Sequence, residues 1–201
     1  MALTSFLPTT SYVSPRHRAR RTLELLDIGC RDKLPWQDER NHALDIRTNA
    51  KVQITEDIRE WDYGEYEGIT SAEIKERREK AGQPVWDIWR DGCPGGETPA
   101  QVTERLDRLI HDIRTRFHDA AIGVPKSDAP VSDVLLVAHG HILRAFAMRW
   151  IGRELTEGVA LLLEAGGVGT LSYEHRSLHE PAILLGGAFM VDLVEGGKER
   201  E

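Results

Sequence analysis

The side chains best suited to chemistry in this chain fall into three short stretches. "SPRHRARRT" (14–22) sets four arginines and a histidine into nine positions. "IREWDYGEYEG" (58–68) surrounds Glu60 with Trp61, Tyr63 and Tyr66, and "VAHGH" (137–141) carries His139, Gly140 and His141. Guanidinium forks match the geometry of phosphate oxygens. An imidazole followed by glycine lets a ligand come close to the backbone beside a group that can hold charge. A carboxyl screened from water by rings suits donation of a proton to a leaving oxygen. Each stretch also has a plainer reading: a solvated basic face, a core histidine bonded to backbone, and a surface acid among the acids at 56, 57, 62, 65 and 67.

Metal chemistry has less support. The pair His139 and His141 has HxH spacing, but no HExxH or DxD partner motif accompanies it, and His141 alone reads as a packing or supporting residue. Cys30 and Cys93 stand far apart, in no CxxC or zinc-ligand spacing, so neither a structural zinc nor a disulfide framework is expected. The expected cofactor set is empty.

The elements that must position these residues can be read along the chain. "TTSYVS" reads as a strand that ends at the basic run, and "RARRTLELL" as a helix leading away from it, with Arg21 on its solvated side. Residues 27–50 are polar and aperiodic and read as connection; a short strand follows near 51. Thr70 with Glu73, and Thr98 with Gln101, form capping boxes, the second with proline at the first helical position. The first opens a charged surface helix ended by Gly82 and Pro84. The second opens a helix with Val102, Leu106, Leu109, Ile110, Ile113 and Phe117 on one face, the spacing of a helix laid on a sheet. The tryptophan-bearing stretch between them, "PVWDIWRDGCPGGE", reads as loop. "VLLVA" reads as a strand buried on both faces that runs into His139, with a helix after it; "GVGTLSYEH" and "PAILLGG" read as closing strands. Strands alternating with helices predict an α/β sandwich, whose ligands lie beyond the carboxyl ends of the strands. Two of the three stretches stand there.

With 201 residues, 40% apolar and 29% charged, the chain reads as one domain over 1–190 followed by a polar tail, 191–201. A net charge of -7 disfavours a general nucleic-acid binder. No apolar run approaches the roughly 20 residues that span a bilayer, so no membrane role is expected. The N-terminal 23 residues lack acids, as transit peptides do, but Pro8 and Pro15 interrupt the amphipathic helix such a peptide needs. The expected location is cytoplasmic, and a homo-oligomer stays open.

Taken in order, "SPRHRARRT", "IREWDYGEYEG", "IWRDGCPGGET", "VAHGH" and "LSYEH" resemble the histidine phosphatase (phosphoglycerate mutase-like) superfamily, and within it the sedoheptulose-1,7-bisphosphatase branch. The resemblance implies a three-layer α/β/α sandwich with a mostly parallel sheet, and metal-free hydrolysis of a sugar phosphomonoester through a phosphohistidine. It makes Arg18 a phosphate clamp with Gly140 beside it, Glu60 the proton donor to the leaving oxygen, and His139 the second histidine, which stabilises the transferring phosphoryl group. It also turns Tyr63 and Arg90 toward the sugar phosphate. The family opens with a strand ending in Arg-His-Gly, whose histidine is the nucleophile. His139 is the only histidine here followed by glycine, and it matches the other one. The expectation is a chain that begins just before the family's second motif, with its first strand missing, neighbouring strands short of ladder partners and turnover negligible. A shortened gene model or splice form explains that pattern ahead of an evolved inactive homologue; His17 as substitute nucleophile carries little weight. A non-catalytic phosphate-binding or interaction protein, and a mutase, remain as other readings.

Overall fold

The computed structural model describes residues 10–26, 34, 36, 51–125 and 127–186. Its centre is β1 (Thr10–Val13), a fully buried strand paired in parallel with β2 (Lys51–Ile54) on one side and β3 (Val134–Val137) on the other. The register sets Thr10 opposite both Lys51 and Val134. Because all three strands run the same way, their carboxyl ends lie on one rim. The ladder continues one residue beyond the strands there, with Ser14 N–H donating to the Val137 carbonyl and Thr55 N–H to that of Val13.

Side chains alternate across this sheet and meet a different helical layer on each face. Tyr12, Val134 and Leu136 join the larger core with α4 (Pro99–Ile113) and α5 (Gly140–Trp150). Val13, Leu135 and Val137 face Ala19 and Leu23 of α1 (His17–Leu26). The result is the expected three-layer α/β/α sandwich. The face read from α4 is buried at Val102, Leu106, Leu109, Ile110 and Ile113, behind the Thr98–Gln101 capping box and Pro99. Phe117 is only half-buried, because the helix widens into a π turn over Arg114–His118 and carries its ring round to meet Tyr12 edge-on.

Two readings need correction. The stretch after α2 (Ser71–Lys80) is not all loop: Asp87 accepts from the Trp89 N–H and caps a one-turn helix, α3 (Ile88–Asp91). β3 touches both core layers as its composition demands, but Val134, Leu135 and Leu136 are only half-buried. Among the described residues β3 has a ladder partner on its β1 side alone. β4 (Thr170–Tyr173) and β5 (Pro181–Leu184) do pair, antiparallel, yet as a separate two-stranded sheet. That pair is fastened to the helical layer instead, by the Trp150 indole N–H on the Ser172 carbonyl and by His118 on the Tyr173 hydroxyl. The tail at 191–201 and the connection at 27–50 lie outside the described residues, apart from positions 34 and 36. No helix among the described residues is long and apolar enough to cross a membrane.

Candidate active site

β1 ends at Ser14, which is fully buried, and α1 starts three residues later with Arg18 in its first turn. β3 ends one residue before Ala138, and His139 then serves as N-cap of α5. Adjacent parallel strands therefore bring the two sequence-distant motifs together. Arg18 Nε lies 2.8 Å from His139 Nδ1, and His139 Nε2 lies 2.8 Å from Ser14 Oγ.

These contacts fix the state of the imidazole. A guanidinium can only donate, so Nδ1 must be the bare nitrogen, and the ring's one proton sits on Nε2 and is donated to Ser14. His139 is neutral in this arrangement. Burial pushes its pKa down to about 4, with the charges of Arg18 and Arg16 adding to the effect. A dianion placed against Arg18 and His139 would reverse that electrostatic balance and favour the doubly protonated ring.

Glu60 reaches the same rim from the other direction. Its side chain is buried, and Oε1 accepts from the Trp61 N–H at 3.0 Å and from the Ile142 N–H at 3.1 Å. Ile142 is in the first turn of α5, whose N-cap His139 provides no side-chain cap, so the Glu60 carboxyl does that work across a separation of 82 residues. Oε2 makes no hydrogen bond to another described residue. Of the three surrounding rings, Trp61 is buried and donates its indole N–H to the Glu97 carbonyl, whereas Tyr66 is turned away against Trp86. Tyr63 stands between the two motifs. Burial, then the charge of Glu60, push its pKa up, while Arg18 opposes them, and its hydroxyl lies 2.7 Å from His141 Nδ1.

The remaining residues fall in different places. Gly140 opens α5, and a Cβ there would meet nothing within 4 Å, so the space before it is free for a ligand. Arg16 is exposed and lines a cavity of about 310 Å3 with Pro15, Glu56, Arg59 and Asp62. Arg21 points outward to Glu24, as its place on the helix predicts, and His17 is exposed. Arg90 forms no hydrogen bond or ion pair with Arg18, Glu60 or His139. Its guanidinium is committed to Asp91 and the Val85 carbonyl, on the wall of a separate cavity of about 560 Å3. Sequence reasoning did not single out the Ser14 hydroxyl, nor a support lying behind the site. Glu97 is gripped bidentately by Arg105, at 2.8 and 2.9 Å, and by Arg59 at 3.0 Å, and it accepts the Asp62 N–H. Arg105 also donates to the Asp57 and Arg59 carbonyls, so the clamp holds both ends of the segment that carries Glu60.

Residues 2–180 match the family model described as histidine phosphatase superfamily (branch 1). The chain belongs to the histidine phosphatase superfamily. It is 35% identical over 219 residues to sedoheptulose 1,7-bisphosphatase of Saccharomyces cerevisiae, covering 90% of this chain and 74% of that protein. An acid phosphatase of Mycobacterium tuberculosis is 35% identical over 139 residues, covering 68% of this chain but only 60% of its own length. Among solved structures, that of the Mycobacterium tuberculosis open reading frame Rv3214 superposes with a TM-score of 0.61 at 29% identity, over 89% of this chain and 70% of that one. The mycobacterial glucosyl-3-phosphoglycerate phosphatase solved with VO3 shares the fold, with a TM-score of 0.56 at 20% identity over 88% of this chain and 74% of that one. In this histidine phosphatase chain, Arg18, Glu60 and His139 therefore converge on one rim of the family's phosphoglycerate mutase-like fold.

Proposed function

We propose that this chain binds the phosphate of a sugar phosphomonoester between Arg18 and His139, with Glu60 beside the ester oxygen. The substrate class is a sugar bisphosphate such as sedoheptulose-1,7-bisphosphate. The observation that carries the reading is the Arg18–His139–Ser14 chain at the ends of neighbouring parallel strands, with the Glu60 carboxyl tied into the same helix start. A phosphate oxygen arriving there takes Arg18 from His139 Nδ1, which frees that nitrogen to accept a proton and become a second cationic donor. The α5 backbone at Gly140 adds its N–H groups and the positive end of the helix dipole. Were a nucleophile also present, Glu60 Oε2–H would protonate the leaving sugar oxygen as phosphorus bonded to that nucleophile, which would neutralise the developing alkoxide. These side chains meet the charge without a metal.

The phosphoryl group must pass to a nucleophile, and this sequence contains no Arg-His-Gly. The resemblance gives His139 the place of the family's second histidine, not of its nucleophile, and His141 is bonded to Tyr63. The 201-residue chain is accordingly proposed to bind phosphate esters while hydrolysing them negligibly.

Titration calorimetry with inorganic phosphate and with sedoheptulose-1,7-bisphosphate tests the assignment. Charge-assisted contacts contribute about 1.5–3 kcal/mol each, so Arg18→Ala should weaken both ligands by about tenfold or more, and Arg21→Ala by less than about twofold. Equal losses for the two variants would return the arginine run to a diffuse basic face. Robust turnover abolished by His17→Ala would overturn the assignment of the nucleophile.

A further inference from the structure

The β4–β5 sheet is fastened to the helical layer at the end of α5 remote from Arg18 and His139, and the fastening includes an imidazole. Trp150, the last residue of α5, donates its indole N–H to the Ser172 carbonyl at 3.1 Å. His118, the last residue of the π turn, stands edge-on to two rings, with centroids 5.7 Å from Trp150 and 5.5 Å from Tyr173. Its Nδ1 lies 2.8 Å from the Tyr173 hydroxyl. Arg114 opens the same turn, donates to the Trp150 carbonyl at 2.7 Å, and sets its guanidinium 4.8 Å from the Trp150 ring and 6.0 Å from that of Tyr173. A separate tie runs from Arg176, beyond β4, to the Val124 carbonyl.

The hydrogen bonds of this cluster close only around a neutral His118. The Ser132 backbone carbonyl accepts from the imidazole, and a carbonyl can do nothing else, so the ring carries its proton on Nε2 and leaves Nδ1 bare for the Tyr173 O–H. Burial pushes the phenol up to about 12, against the pull of Arg114, which also donates to its oxygen, so Tyr173 keeps its proton. Arg114 thus gives to Tyr173, Tyr173 to His118 and His118 to Ser132. A second proton on the ring breaks this series. Nδ1–H and the phenol O–H become two donors aimed at one another, the phenol proton loses its acceptor, and a new cation stands beside the Arg114 guanidinium. Burial is the largest influence on His118 and Arg114 adds to it; together they outweigh the Ser132 carbonyl, Asp133 before β3 and Asp119 after the turn, and hold the imidazole below its ordinary value.

We propose that His118 is a proton-operated latch: neutral, it fastens the β4–β5 sheet to α5 and the π turn, and protonated, it releases that sheet while the three-stranded sheet stays folded. The released state binds the proton more readily than the fastened one. The fastening is therefore complete above the 6.5 of a free imidazole and is lost as the pH falls below it. A two-stranded sheet on its own is marginal in water, so the β4–β5 ladder opens with the latch. This device does not rest on the phosphate-ester reading, and its failure would leave that reading where it stands.

Hydrogen exchange followed by NMR on the whole chain tests the latch. From pH 7.5 to 5.5, protection factors of the Trp150 indole N–H and of the β4–β5 ladder amides, corrected for intrinsic exchange, should fall by about three- to tenfold, the ceiling set by a free imidazole. The Tyr12 and Val13 amides of β1 should stay better protected than the β4–β5 ladder at every pH, which marks the release as local. His118→Phe keeps a ring in the packing, removes the titration and should abolish the fall. The fall should persist in His175→Asn, which removes an imidazole from the β4–β5 connection, and in His139→Asn combined with His141→Phe. A fall that survives His118→Phe, one that vanishes in either of the other variants, or equal protection of β1 and the β4–β5 ladder would overturn the proposal. Should His118→Phe fail to fold, the wild-type His118 ring resonances decide: the account expects a bare Nδ1 wherever the sheet is protected, and a doubly protonated ring with protection unchanged would contradict it.

Discussion

Glu60 and Glu97 are both buried carboxylates, and both sit beside Trp61, yet their surroundings differ in kind. Glu97 is surrounded by cations. Burial pushes its pKa up, but the hydrogen-bonded Arg105, the Asp62 N–H and Arg59 outweigh it and hold the carboxyl below its ordinary value. Among the described residues Glu60 has no cationic partner; one of its oxygens takes two backbone N–H groups and the other is unengaged. A carboxylate locked to two guanidiniums cannot conveniently give or take a proton, whereas one held by a single oxygen can. The comparison separates the acid proposed to do chemistry from the acid that holds the segment still.

The largest expected effect lies on the Glu97 side. Arg105→Ala leaves a buried carboxylate with one remaining cation and two carbonyls without their donor, and should cost about 3–5 kcal/mol of folding stability in urea or thermal unfolding. Glu60→Gln keeps the Oε1 acceptor for both N–H groups and should cost less than about 1 kcal/mol. Comparable losses for the two variants would collapse the distinction.

A smaller effect should appear in the pH dependence of unfolding. His139 and His141 titrate at about 4 in the folded chain against 6.5 for a free imidazole. Between those values the unfolded chain binds more protons, so this stability is complete above pH 6.5 and is lost as the pH falls toward 4. Glu97, with its pKa lowered, contributes in the same direction but in a lower window: present above its ordinary value of 4.5 and lost as the pH falls further. Acid melts of wild type should show the histidine loss first, on the order of 1–3 kcal/mol, and His139→Asn combined with His141→Phe should flatten it. A wild-type curve that is flat from pH 7 to 5 would mean that neither imidazole is held neutral by the fold. Gly140→Ala should show the smallest effect on stability, within about 1 kcal/mol, because the new methyl group meets no protein atom. A loss of phosphate affinity in that variant, without a loss of stability, would mark the space before α5 as the ligand's.

What could be read from the sequence was mostly local. The two capping boxes and the apolar face of α4 depend on residues three and four apart, and the structure has them where the spacing requires. Arg18 and His139 were legible because strand ends in a parallel sheet share a rim, whereas the Ser14 hydroxyl between them was not. The Glu97–Arg105 clamp was not, since its hold on the Asp57 and Arg59 carbonyls spans 46 to 48 residues and leaves no local pattern. The His141–Tyr63 pair, 78 residues apart, was hidden for the same reason. The half-burial of β3 was missed because four apolar residues record what each face wants, not whether an edge has a neighbour. Arg90 shows the limit of motif reading: its placement beside Asp91 and Val85 depends on the short helix α3, which a composition of glycine, proline and tryptophan conceals.

The central claim is that anion binding takes place at the Arg18–His139 rim and not in the larger cavity walled by Lys75 and Arg90. The most direct test follows imidazole and backbone nitrogen resonances while inorganic phosphate is titrated into the 201-residue chain at about pH 6, close to the intrinsic imidazole pKa. The account predicts that His139 passes from a neutral ring protonated at Nε2 to a doubly protonated one, and that the Gly140 and Ile142 amides shift with it at the same phosphate concentration. Saturating shifts confined to Ser71, Lys75 and Arg90, with His139 still neutral, would contradict it.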